Sequence, residues 1–352
     1  MTSTGVTSMQ LKRAFVLLGV TVAALGATAC SDNSNDKNSS SATSPTADTH
    51  RAFDLQAHRG GRGMTIEESL PGFAKAIELG VSTLELDIVL TKDKVPLIWH
   101  DPIIQTEKCT DTAAAFPDDP QYPYVGKLVH DLSYDQVRTL DCGKKLAGFP
   151  DAQELPGNKI ARLPELFDLV KTYPGAFDTL RYNVETKVEA EHPEQSATPQ
   201  EFVDVILDTI EQAGATPKVE IQSFDWRSLP LVKARNAAIP TVALYDATTF
   251  KPNSMWLGPI RYEDHADDAL GAIKALGADI SSPNYQLLGN AGEYVRKAHD
   301  LKITVVPWTV NDKDAIGKLL DAGMDGIITD YPNRARDVMD AKGYPLPKSF
   351  RK

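Results

Sequence analysis

From residue 53 to residue 330 the sequence alternates short strand-like runs with amphipathic helical runs, and few folds satisfy that order. The strand-like runs are FDLQA, STLELDIVL, VPLIW, LRYNVET, VEIQSF, TVALYD, ADISS, ITVVPWTV and DGIITD. Between most of them lie helical stretches. In ESLPGFAKAIELG, Leu70, Phe73, Ala74 and Ile77 share a face and Gly80 ends the run. In PQEFVDVILDTIEQAG, Phe202, Val205, Ile206 and Ile210 do the same. Repeated strand–helix units imply a largely parallel sheet with right-handed crossovers. Nine strands is one more than a closed (β/α)8 barrel needs, and the surplus disappears if STLELDIVL and VPLIW form a hairpin. An open doubly wound sheet is the alternative. The barrel is preferred because polar candidates stand at the ends of many different strands. The expectation is one α/β domain over residues 53–345, a TIM-like barrel with an extra β-hairpin. An irregular Pro-, Asp- and Gly-rich excursion over residues 103–160 is expected to wall the pocket.

The chain before the barrel reads as targeting. Lys12 and Arg13 precede AFVLLGVTVAALGA, and ATAC brings small residues up to Cys30. This is similar to a lipoprotein signal over residues 1–30 with Cys30 as the lipidated residue, although Ala27 stands where Leu is usual. The alternative is ordinary secretion with Cys30 incidental. Residues 31–52, rich in Ser, Asn, Asp and Thr, read as a flexible tether holding the domain about 25 Å from its anchor. An exported protein, periplasmic or at the cell surface and anchored in the membrane only through its N-terminal lipid, is the expectation. In that setting Cys109 and Cys142 are expected to form a disulfide contributing about 3 kcal/mol. Two lone thiols make a poor metal site, and neither has a His nearby in sequence. The formal net charge of −11 argues against nucleic acid. A small anionic substrate is compatible with it if a cation or local Arg and Lys reverse the sign inside a pocket.

Within LELDIVLTKDKVPLIWHDP, two-residue alternation puts Glu85 and Asp87 on one strand face and Leu84, Leu86 and Ile88 on the other. A tight turn at Lys92-Asp93 would pair 87 with 98 and 85 with 100, setting His100 across from both carboxylates. Acids on an exposed edge strand are the plain alternative, weakened by the apolar opposite face. Two inward carboxylates repel without protons or a cation between them, and hard oxygen donors suit Ca2+ or Mg2+.

AHRGGRG at the first strand end offers His58 for proton transfer, Arg59 for a phosphate, and glycines whose exposed N–H groups favour an anion. A His before a glycine loop is more often structural, so His58 gains weight only from its place at the strand end. In YNVETK, Glu185 and Lys187 again share a face; read alone they would be a surface ion pair. EIQSF, PWTVN and GIITDYP bring Gln222, Trp308, Asn311 and Asp330 to later strand ends, with Trp308 suited equally to pocket and core.

The ordered set HRG, EES, ELD, HDP, NVETK, QSF, WTVN and DGIITDYP, over roughly residues 55–335, resembles the glycerophosphodiester phosphodiesterase family. The resemblance implies a TIM-like barrel that hydrolyses glycerophosphodiesters to glycerol 3-phosphate and an alcohol. It implies metal ligands Glu85, Asp87 and Glu185 for one divalent cation, Ca2+ ahead of Mg2+, and catalytic His58 and His100. Arg59 and Lys187 would contact phosphate, with Gln222 and Trp308 lining the substrate site. The family often reads Glu-Asn-Thr where this chain has Glu67-Glu68-Ser69. Two rivals stand beside this reading: phospholipase D-like cleavage of lysophospholipid or sphingomyelin, and a lipoprotein that binds phosphoesters without turning them over. Paired acid–base groups speak against the second.

Overall fold

A computed structural model describes residues 52–352. The expected signal segment, Cys30 and the tether up to residue 51 lie outside the described residues. All nine expected strands are present: β1 Asp54–Ala57, β2 Thr83–Leu90, β3 Pro96–Ile98, β4 Arg181–Thr186, β5 Val219–Ser223, β6 Thr241–Tyr245, β7 Ile280–Pro283, β8 Thr304–Val305 and β9 Gly326–Thr329. Eight run in the order β8-β7-β6-β5-β4-β2-β1-β9, each neighbouring pair parallel, and β3 pairs only with β2. The ring is nearly closed by the segment following β8. The Val310 N–H donates to Ile328 O at 2.9 Å, and the Ile328 N–H donates to Pro307 O at 2.9 Å.

Helices α1 Leu70–Leu79, α2 Tyr134–Val137, α3 Leu163–Lys171, α4 Pro199–Ala213, α5 Ser228–Arg235, α6 Ala269–Leu276, α7 Ala291–Asp300, α8 Lys313–Asp321 and α9 Pro332–Ala341 follow the strands. Their ends are set locally. Ser69 caps α1 by accepting the Gly72 N–H, and Thr198 with Glu201 closes a capping box on α4. Leu84, Leu86 and Ile88 share one apolar core with Phe73 and Ile77 of α1 and Phe167 of α3. That leaves the alternate β2 residues to the barrel interior.

The interior is polar where such barrels usually stack branched apolar side chains. The Asn183 amide donates to Gln56 Oε1 at 2.8 Å and to Gln222 Oε1 at 3.0 Å. Gln56 in turn donates to Asp54 at 2.9 Å and Glu220 at 3.0 Å, while Gln222 donates to Glu85 at 2.6 Å.

The hairpin forms, but its register differs from the expected one. Ile88 faces Ile98 and Leu90 faces Pro96 across a turn of residues 91–95, in which Lys94 takes a left-handed φ of 61°. Thr91 holds this longer turn, its hydroxyl accepting the Val95 N–H at 2.9 Å. A one-residue shift reverses which face each side chain takes, so alternation alone would have sent His100 outward with Ile88. β3 ends at Ile98, and His100 reaches the barrel mouth beyond the strand.

The 103–160 excursion has its own apolar core. Leu97, Trp99, Ile104, Tyr124, Leu132 and Leu140 are buried together, apart from the barrel core. Cys109 and Cys142 are joined in it as a disulfide.

Candidate active site

Strand register builds the acidic centre. β2 and β4 are neighbours with Asp87 beside Glu185, and β4 and β5 place Glu185 beside Gln222. Glu85 stands two residues before Asp87 on the same inward face. Ligand oxygens of Glu85, Asp87 and Glu185 lie within 4.8 Å of one another, and all three residues are buried. Arg59 Nε is 3.1 Å from Asp87 Oδ2. Lys187 donates to Glu185 at 2.8 Å and lies 3.9 Å from Asp87. Glu185 and Lys187, which alone would read as a surface pair, are thus inside the mouth.

The loop after β1 turns through Arg59 at φ 50°, followed by left-handed Gly60 and Gly61. This conformation aims the Arg59 N–H at Glu85 Oε2, 2.7 Å away. The anion-binding expectation for this loop is corrected by its hydrogen bonds. The N–H groups of Gly61 and Arg62 go to His58 O, and that of Gly63 goes to Asp330 O. The loop's glycines serve close approach instead: a Cβ on Gly63 would lie 2.3 Å from the Tyr331 ring.

Each histidine is held by a carboxylate at Nδ1. His58 meets Asp330 Oδ1 at 2.5 Å, and His100 meets Asp101 Oδ1 at 3.0 Å. Burial pushes both imidazoles below the ordinary value. For His58 this is opposed by Asp330, while for His100 it is reinforced by Lys187 and Arg59, which bring it to about 4. Asp330 is further bound by Arg62 Nε at 2.8 Å and Asn311 Nδ2 at 2.6 Å.

Among the acids, burial and the neighbouring Asp87 charge push Glu85 well up. Burial, only partly offset by Lys187, lifts Glu185 to about 8. Burial also acts on Asp87, but Lys187 and Arg59 outweigh it and hold Asp87 well below the carboxylate range. The donor set fits a hard divalent cation. Every candidate ligand is an oxygen, two of the acids are destabilised as anions, and buried Asp87 Oδ2, although paired in charge with Arg59 Nε, makes no hydrogen bond.

A cavity of about 280 Å3 opens on this centre, lined by His58, Arg59, His100, Glu185, Gln222 and Trp308, among others. The expected residues therefore converge. Trp308 serves both roles considered for it, lining the cavity while donating to Ser282 O at 2.9 Å and packing edge-on against Phe224 at 5.2 Å. Sequence reasoning gave no role to Arg62, Asp101, Lys108 or Phe224. Glu67 gathers three cations, accepting from Arg59 at 3.2 Å, from Arg62 at 3.1 Å and from Lys108. Glu68, at the position of the unusual acid, accepts the Asp87 N–H at 2.9 Å, so it buttresses the β2 backbone from a left-handed φ of 56°.

Comparison with known proteins agrees with this geometry. The model of the glycerophosphoryl diester phosphodiesterase family matches residues 58–334. A glycerophosphodiester phosphodiesterase of Caldanaerobacter subterraneus subsp. tengcongensis is 27% identical over 276 residues, which is 78% of this chain and 93% of that protein. A solved Silicibacter pomeroyi DSS-3 protein given the same family description superposes with a TM-score of 0.71 at 28% identity, covering 83% of this chain and 95% of that one. The fold is also that of an Oleispira antarctica phosphodiesterase solved with sn-glycerol-3-phosphate, with a TM-score of 0.60 at 18% identity over 82% of this chain and 97% of that one. The chain belongs to the glycerophosphoryl diester phosphodiesterase family and is an enzyme of phosphodiester hydrolysis.

Proposed function

We propose that this enzyme hydrolyses glycerophosphodiesters to sn-glycerol 3-phosphate and an alcohol, with His58 and His100 as its acid–base pair. Glu85, Asp87 and Glu185 would hold one divalent cation, Ca2+ in preference to Mg2+. The observation that carries the reading is convergence: two carboxylate-held imidazoles and Arg59 line one cavity with Glu85 and Glu185, which cluster with buried Asp87, and Lys187 pairs with the acids from behind. The O. antarctica neighbour, solved with sn-glycerol-3-phosphate, supports the product side. When bound, the cation neutralises charge on the phosphate's non-bridging oxygens.

The protein's own groups do the rest. Arg59 and Lys187 flank the acids and orient the phosphate by charge. With Nδ1 engaged by a carboxylate, each imidazole presents Nε2 to the cavity side. His100, held near 4 by burial and neighbouring cations, is neutral at pH 7 and accepts a proton from the attacking oxygen. His58, held at Nδ1 by Asp330, stands across the cavity as the donor of a proton to the departing alkoxide. Phe224 and Trp308, packed edge-on at 5.2 Å, give the cavity an apolar wall beside these charges. Stripping divalent cations from the purified protein is expected to abolish glycerophosphocholine turnover, and Ca2+ is expected to restore it. Full activity in chelator would remove the cation from the reaction. Faster choline release from lysophosphatidylcholine micelles than from glycerophosphocholine would move the substrate class to lysophospholipids.

The chain is exported and tethered through Cys30, a reading that the Cys109–Cys142 disulfide supports, because such bonds persist in oxidising compartments. Cys30→Ser is expected to move the protein from the membrane fraction to the soluble one. Unchanged membrane retention would refute the anchor.

A further inference from the structure

Most ion pairs around the cavity join barrel residues to one another; Lys108 is different. It comes from the excursion, yet its side chain is only 8% exposed, and its ammonium is bonded to both Asp101 and Glu67. The ammonium also lies 4.8 Å from the ring centroid of buried Trp99. Its backbone is braced on several sides. The N–H groups of Lys108 and Cys109 donate to Gln105 O at 3.1 and 2.9 Å. Lys144 donates to Cys109 O at 2.8 Å, and Cys109 is tied to Cys142.

Lys108 does not line the cavity, so it is not placed to hold substrate. It reaches the reacting groups through its partners. Asp101 turns one oxygen to Lys108 and the other to His100 Nδ1. Glu67 also accepts from Arg62, which binds Asp330, the partner of His58. One unbroken line of charge-assisted contacts therefore runs from one imidazole to the other, and Lys108 is its only member from outside the barrel scaffold. Without the ammonium, Asp101 and Glu67 would face each other as like charges, and the Asp101 carboxylate would lose what fixes its plane.

We infer that Lys108 is a positioning residue for the hydrolytic reaction: by pinning Asp101 it fixes the ring orientation and tautomer of His100. The excursion thus completes the acid–base apparatus that the barrel carries.

The test is steady-state kinetics on the full chain with glycerophosphocholine and saturating Ca2+. Lys108→Met, which retains an apolar stem over Trp99, is expected to lower kcat by about 10–100-fold, with KM and the Ca2+-induced thermal shift nearly unchanged. Lys108→Arg is expected to restore most of the loss. A raised KM with kcat preserved, or no rescue by arginine, would overturn the inference. Should Lys108→Met fail to fold, Asp101→Asn breaks the same link from the other side: a kcat loss at constant KM supports the inference and a wild-type kcat overturns it. The inference rests on His100 acting in the acid–base step. A fully active His100→Ala would sink that reading, whereas an inactive His100→Ala beside a fully active Lys108→Met sinks only the role of Lys108.

Discussion

His100→Ala is expected to cut kcat on glycerophosphocholine by at least about a hundredfold while leaving the circular dichroism spectrum and thermal midpoint close to those of the native protein. The side chain is 30% exposed and belongs to neither apolar core, so its removal opens no cavity in packed structure. Its one side-chain hydrogen bond is to Asp101, which keeps Lys108 when the imidazole is gone. What is lost is a proton acceptor at the mouth. The pH profile gives a second check. Burial and the nearby Lys187 and Arg59 hold His100 at about 4, below the ordinary 6.5. A base must be unprotonated, so activity assigned to it fails as pH falls through its pKa. The acidic limb of kcat/KM is therefore expected below pH 6.5. An acidic limb above 7, or near-native rates in His100→Ala, would assign the base elsewhere.

The second large effect concerns Glu185→Gln, which is expected to abolish Ca2+ binding and turnover together without destabilising the metal-free protein. Glu185 is lifted to about 8 by burial, with repulsion from Asp87 adding to it and Lys187 only partly offsetting. Its folded pKa exceeds the unfolded one, so the native state binds more protons than the unfolded chain between about pH 4.5 and 8. Stability of the metal-free protein consequently falls as pH rises through that window. Glutamine removes the ionisation and with it that penalty. In the native protein, a bound cation displaces the same protons, so Ca2+ affinity is expected to rise with pH up to about 8, with proton release seen by calorimetry in buffers of different ionisation enthalpy. At a hundredfold excess over Kd, Ca2+ is expected to stabilise the native protein by about 2.7 kcal/mol and to leave Glu185→Gln unmoved. A Ca2+-dependent thermal shift that survives in Glu185→Gln would place the ion elsewhere.

Much of this centre was legible because the strand period is short. Glu85 and Asp87 fall on one inward face by counting in twos, whereas Glu185, which alone reads as half of a surface pair, joins them only through the parallel register of β2 and β4. The nine strands were legible because each is a compact apolar run bounded by turn residues. Other features depend on distant partners. His58 and Asp330 are separated by 272 positions, and no local pattern announces their contact. The hairpin register turned on Thr91 and a left-handed Lys94, which made the connection five residues long where a two-residue turn was expected. Lys108 sits in a segment with neither helix nor strand periodicity, where sequence spacing carries no direction. The glycine loop misled for a different reason: its N–H groups look free in sequence, but the fold commits those of Arg59, Gly61, Arg62 and Gly63 to Glu85, His58 and Asp330.

The amide row in the barrel has a direction. Asn183 gives both its hydrogens away, to the glutamines above and below it, and each glutamine must then present its own hydrogens to an acid. No member can rotate end for end without setting donor against donor or oxygen against oxygen. The Glu85 carboxylate is accordingly aimed from two sides, by the Arg59 N–H at the loop and by Gln222 at the barrel's waist, so an asparagine that does not line the cavity takes part in setting the geometry at the mouth.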